Sequence, residues 1–137
     1  MTQVITAQGF VEDIFAGTPV PDMDSYENGP ALRLAPDTDP TGLSAHFARL
    51  DLIVIPFETH ADGRGFSLAA ILRVLGYKGH LRASGALLVD QLRAAVRAGF
   101  DDIEISAPQA DRNPEPQWQS VRFGQSYQSR LMPETPR

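Results

Sequence analysis

The chain contains no cysteine. That absence excludes disulfide scaffolds, thiol redox chemistry, cysteine nucleophiles, and zinc or iron–sulfur centres held by thiolates. Electron transfer would need a borrowed cofactor. Apolar runs reach only about half a dozen residues, far short of the roughly 20 that a membrane-spanning helix requires. Met1-Thr2-Gln3-Val4 lacks the basic region and apolar block of a secretory leader, so a cytoplasmic protein with no membrane contact is expected. No P-loop, dinucleotide fingerprint, nucleophile elbow or metalloprotease motif occurs, and no cofactor or metal is expected. An excess of positive charge is missing too: the net charge is −5, which argues against nucleic-acid binding.

The charge is unevenly spread. Residues 60–100 carry six bases (Arg64, Arg73, Lys78, Arg82, Arg93, Arg97) against Asp62 and Asp90, a local +4, leaving −9 for the rest. Such a segment suits a small oxyanion or an acidic partner, or solvated helix faces, as for Arg93 and Arg97.

At 137 residues the chain reads as one α/β domain. Residues 1–30 form a hairpin-and-loop appendage, 31–127 a βα core, and 128–137 a flexible tail. The hairpin pairs Val4-Ile5-Thr6 with Phe10-Val11-Glu12 and turns near Gly9. Strands are expected at Ala31–Ala35, Asp51–Phe57, Gly79–Ser84 and Phe100–Ser106. Helices are expected over Thr41–Leu50 (Asp39 as N-cap, Pro40 first), from Phe66 or Ser67 to Leu75, and over Leu87–Ala98. A polar loop follows Pro108, then a weaker helix around Pro116–Tyr127. Strand and helix alternate at short spacing, giving four βα units and a mainly parallel sheet, either partial-barrel-like or open and doubly wound. A partial barrel leaves one sheet face to be covered by a partner, such as a second copy in a homodimer, or by the N-terminal segment.

Parallel topology brings the strand carboxyl ends to one edge, where ligands usually bind. Asp37 and Asp39, Glu58 to Ser67, Ser84-Gly85-Ala86 and Ser106 to Arg112 should meet there. The loop His60-Ala61-Asp62-Gly63-Arg64-Gly65-Phe66-Ser67 holds an acid, a base, two glycines and a hydroxyl at a strand-to-helix junction. Gly63 and Gly65 would let backbone N–H groups approach a ligand, Ser67 would serve as N-cap or first-turn hydroxyl, and Arg64 could clamp an oxyanion. His60 and Asp62 are the candidates for proton transfer. The competing reading is an ordinary Asp-Gly turn. Glu58, His60 and Asp62 alternate in a way that could face a metal, though three such residues in five arise easily by chance. Arg82 lies within a strand pattern and needs a carboxylate, Asp62 or Asp90, more than a ligand. Asp90 and Gln91 fall in the first turn of a helix, where an acid suits the helix dipole.

Asp62-Gly63-Arg64-Gly65-Phe66-Ser67, Leu72-Arg73, Leu75-Gly76-Tyr77, Gly79, Leu81-Arg82-Ala83, Asp90-Gln91-Leu92 and Gly99-Phe100-Asp101 resemble a bacterial family of unknown function. Its members are described as probable oxidoreductases of sulfite reduction, and their genes often neighbour that of assimilatory sulfite reductase. The likeness is clear over Ile55 to Asp101 and looser from Phe10 to Leu50. Two departures are visible: Ala86 stands where the family usually has an acid, and His60-Ala61 where it tends to have an aromatic. The resemblance implies a place in sulfate and sulfite assimilation. Without cysteine or a cofactor motif, the expected role is a non-catalytic accessory protein of sulfite reductase or another enzyme of that pathway. The alternatives are a small oxyanion-binding enzyme or carrier using Asp62–Ser67, and an oxidoreductase with a borrowed cofactor.

Overall fold

The computed structural model describes residues 2–6, 8–27, 29–59 and 63–118. Its apolar runs become strands β1 (Thr2–Thr6), β2 (Gly9–Val11), β3 (Ala31–Arg33), β4 (Leu52–Phe57), β5 (His80–Gly85) and β6 (Asp102–Ser106), with helices α1 (Arg64–Val74), α2 (Leu92–Ala98) and α3 (Ala107–Arg112). They form one open sheet in the order β2-β1-β6-β5-β4-β3. β3 to β6 are parallel, while β1 is antiparallel to both β2 and β6. This is the mainly parallel α/β architecture with an N-terminal hairpin that the sequence pattern implies. The parallel strands follow chain order without reversal, so the described residues contain no doubly wound switch point. The order is that of one wall of a barrel, left open.

Strand alternation separates two faces. Ile5, Ile53, Ile55, Phe57, Leu81, Ala83, Ile103 and Ile105 pack with Leu68 and Leu72 of α1 and Leu92 and Ala95 of α2 in the main core. Each fully buried aliphatic chain contributes about 1.5–3 kcal/mol relative to exposure. On the other face Phe15 and Val20 cover Ala31, Leu52 and Val54, so residues after the hairpin shield that side of the sheet.

Several local expectations are corrected. Thr41–Leu50 is not an α-helix: only a 3-10 turn, Leu43–His46, forms. Gly42 before it is left-handed (φ 89°), and Asp39 accepts hydrogen bonds from the Thr41 N–H (3.0 Å) and Thr41 Oγ1 (2.7 Å). That local turn competes with helix continuation. The third expected helix starts late, because Leu88 is extended, and opens as a 3-10 turn, Val89–Gln91, before α2. α1 starts at Arg64 with Gly63 as N-cap, so Ser67 is its fourth residue and not its cap. Past β6, the polar loop expected beyond Pro108 is instead α3, whose N-cap Ser106 accepts from the Gln109 N–H at 3.3 Å, with Pro108 just inside the start. Residues 115–118 are helical, and Trp118 is fully buried with its indole N–H donating to the Asn113 carbonyl at 2.8 Å. The rest of that expected helix and the tail lie outside the described residues.

Candidate functional site

The strand-carboxyl edge brings part of the expected site together. Arg64 and Ser67 border a 230 Å³ groove with Asp37, Thr38, Pro36 and Pro40. Arg64 also borders an adjoining 240 Å³ hollow with Asp37, Glu58 and Pro56. Loops after β3 and β4 therefore meet there, as parallel topology requires. Two carboxylates share this rim with one guanidinium, a poor balance for a second anion. His60 and Asp62 lie outside the described residues.

The two glycines differ. Gly63 has φ −80° and open space where a Cβ would stand. Gly65 is buried, and a Cβ there would come 2.4 Å from Phe57 Cζ. The space above Gly65 is filled by the Phe57 ring, not left for a ligand. Phe57 also faces Phe66 (5.1 Å) and Phe100 (6.1 Å). Gly85 (φ 113°) approaches β4 so closely that a Cβ would sit 2.4 Å from the Phe57 carbonyl oxygen. That oxygen accepts from the Ala86 N–H at 3.0 Å.

Arg82 stands apart from this edge, on the opposite sheet face and paired in register with Val54 and Asp102. It is 3% exposed. Its Nε and Nη2 donate to the two Asp102 carboxylate oxygens at 2.8 and 3.0 Å, and Nη2 lies 3.0 Å from Asp13 Oδ1. His80 Nε2 lies 2.7 Å from Asp102 Oδ2, and the Phe15 ring covers both Arg82 (5.7 Å) and His80 (5.0 Å). Burial alone would raise the Asp102 pKa, but hydrogen bonds from His80 and Arg82 and the guanidinium charge outweigh it and hold it below the ordinary aspartate value. Burial likewise opposes the charge on Arg82, and Asp102 and Asp13 overcome it, raising its pKa. Arg82 is therefore ion-paired, but its partners are Asp102 and Asp13, in place of the Asp62 or Asp90 expected from sequence. Asp90 sits elsewhere, exposed beside Arg93 and Arg97. Gln91 caps its own turn, its Oε1 accepting from the Leu88 N–H at 2.8 Å.

Sequence reasoning missed the role of one heavily bonded side chain. Arg73 donates from Nε and Nη2 to the Gly99 carbonyl (3.0 and 2.7 Å) and from Nη1 to the Tyr77 and Gly79 carbonyls (3.0 and 2.9 Å). Its Nη2 also donates to Asp101 Oδ2 at 2.9 Å. That carboxylate accepts the Leu81 N–H at 2.9 Å, and Tyr77 Oη donates to the His80 carbonyl at 2.9 Å. Burial pushes the Tyr77 hydroxyl pKa up, the nearby Arg73 charge notwithstanding. A Cβ on Gly99 would meet Arg73 Cγ at 2.6 Å, and one on Gly79 the Tyr77 Oη at 2.4 Å. One guanidinium thus ties the end of α1 to the end of α2 and to the amino ends of β5 and β6. Arg73, Tyr77, Gly79, Gly99 and Asp101 all fall within the motifs that carry the family resemblance, but nothing in their spacing showed that they meet.

Among the described residues no group of three or more metal-ligating side chains gathers, and no helix is long and apolar enough to cross a membrane. No curated protein and no solved structure matches the chain. A family described as bacterial protein of unknown function, DUF934, matches residues 31–137. The match takes in β3 to β6, the Arg73 clamp and the Arg82–Asp102 pair, and begins after the hairpin and Asp13. The chain therefore belongs to the DUF934 family of bacterial proteins of unknown function.

Proposed function

We propose that the protein is a non-catalytic accessory factor of assimilatory sulfite reduction that works by docking on an enzyme of that pathway. One observation supports the non-catalytic part: several polar residues of its motifs are engaged in holding the fold. Arg73 and Asp101 clamp backbone, Arg82 and Asp102 hold each other, Gln91 caps a turn, and Gly65 and Gly85 accommodate Phe57. The link to sulfur rests on the resemblance of those motifs alone. With Arg73 and Arg82 neutralised internally, the exposed Lys78 and Arg97 leave a basic tone on the helix side, which suits an acidic partner surface. The other sheet face is covered by Phe15 and Val20 over Ala31, Leu52 and Val54, which favours docking through the helices.

An oxyanion-binding role for the Asp62–Ser67 loop is the second reading, favoured by the groove that Arg64 and Ser67 share. Asp37 and Glu58 on the same rim count against it.

Deleting the gene and growing the strain on sulfate, sulfite or sulfide as sole sulfur source tests the proposal. Rescue by sulfide but not by sulfite is the expected result, and unimpaired growth on sulfate and sulfite refutes it. The purified protein should turn over no sulfite by itself.

A further inference from the structure

Helix α1 is apolar on its outer side as well as its inner side. Val74 is 85% exposed, Ile71 45% and Leu75 43%, while Leu68, Ala69 and Leu72 face the core. The reason is topological: the connection from β3 to β4 contains only the 3-10 turn Leu43–His46, so among the described residues α1 has no helical neighbour on that flank. Exposed apolar side chains at Ile71, Val74 and Leu75, opposite the buried face, offer a surface for a second packing partner.

We propose that this face pairs two copies of the chain, α1 against α1, antiparallel about a two-fold axis. The pattern on the outer ridge is self-complementary. Ser67, Ala70, Ile71 and Val74 are all exposed and lie at i, i+3, i+4 and i+7, one ridge of a helix. Reversed about the midpoint between Ala70 and Ile71, the small Ser67 receives Val74 of the second copy and Ala70 receives its Ile71. Each large side chain meets a small one, which lets the two helices approach closely without a gap. Beside the ridge, the groove walled by Pro36, Pro40 and Leu68 continues the apolar contact. Charge favours the same direction. Asp37 and Glu58 outnumber Arg64 at the start of α1, and Lys78 follows its end, so an antiparallel pair sets Lys78 of one copy towards the acidic end of the other. A parallel pair sets like ends together. The single helix–helix contact is small beside ordinary stable interfaces, so the dimer is weak and concentration-dependent. This inference goes beyond the accessory role and stands independently of it.

The absence of cysteine makes the test clean, because an introduced thiol reports only its own position. Sedimentation equilibrium of the full chain should show the apparent mass doubling as concentration rises, and Val74→Asp should abolish that rise while leaving the far-ultraviolet circular dichroism unchanged. Under oxidising conditions Ala70→Cys should form a disulfide-linked dimer in high yield, whereas Arg97→Cys, on the outer side of α2, should not. A wild-type chain that stays monomeric over the whole range overturns the proposal and leaves the face to an unrelated partner. A dimer that persists in Val74→Asp, with Ala70→Cys coupling no better than Arg97→Cys, overturns it equally, by placing the interface elsewhere.

Discussion

Replacing Arg73 by alanine should be among the most destabilising changes available at a partly exposed position. The side chain is 26% exposed, yet it satisfies the carbonyls of Gly99, Tyr77 and Gly79 and bonds Asp101. Truncation strips partners from three backbone acceptors at once. Leaving a buried acceptor unsatisfied costs about 1–3 kcal/mol, and water can enter a site this near the surface and recover part of it. The Asp101 bond adds little, since that carboxylate is 46% exposed and surface ion pairs contribute about 0–1 kcal/mol. The expected total is about 2–4 kcal/mol, a large share of the 5–15 kcal/mol typical of a domain. For a chain of this length that corresponds to a fall in Tm of roughly 8–16 °C. Arg73→Lys should recover little of the loss, because an ammonium cannot reach several carbonyls in the fixed fork of a guanidinium. Thermal unfolding followed by circular dichroism, with Arg97→Ala as an exposed control, decides the matter. If Arg73→Ala melts within about 2 °C of the wild type, the bonds are not load-carrying and the clamp is wrong.

Further expectations concern the opposite sheet face and the glycines. Asp102→Asn leaves Arg82 buried with a weakened counter-charge and should cost about 3–5 kcal/mol in urea unfolding, more than Asp13→Asn, which leaves the bidentate pair intact. Because folding lowers the Asp102 pKa, its contribution is complete above the ordinary carboxylate range and is lost as pH falls through the lowered folded value. Asp102→Asn should therefore flatten the acid limb of the stability–pH curve, and an unchanged limb would contradict the assignment. Gly65→Ala should destabilise by about 1–3 kcal/mol through its clash with Phe57, whereas Gly63→Ala, with open space and a helical φ, should be neutral or stabilising by up to about 1 kcal/mol. Equal effects at both positions would undo the packing argument. Sulfite, sulfate and phosphate should leave the Tm unchanged, and a shift abolished by Arg64→Ala would instead establish the oxyanion reading.

The alternation of apolar strands with helices at short spacing is a local property, repeated along the chain, so the parallel α/β class and the hairpin were readable from residue order. Gly76 and Gly99 as helix stops, both with positive φ, were readable for the same reason. Helix length in the first crossover was not: Leu43, Phe47 and Leu50 have helical spacing, but left-handed Gly42 and the Asp39–Thr41 turn reduce it to one 3-10 turn. The sequence also showed that a buried Arg82 must have a carboxylate. It pointed to Asp62 or Asp90, whereas Asp102 and Asp13 are the partners, reaching Arg82 across the sheet and from the segment after the hairpin. Arg73 shows the limit most plainly. Its acceptors are backbone carbonyls, which every residue has, so nothing in the order of side chains marks Gly99, Tyr77 or Gly79 as its partners. Composition and periodicity determined the kind of fold and the chemistry missing from it. Tertiary structure alone decided which charged groups are used up inside the protein, because that depends on distances between segments far apart in the chain.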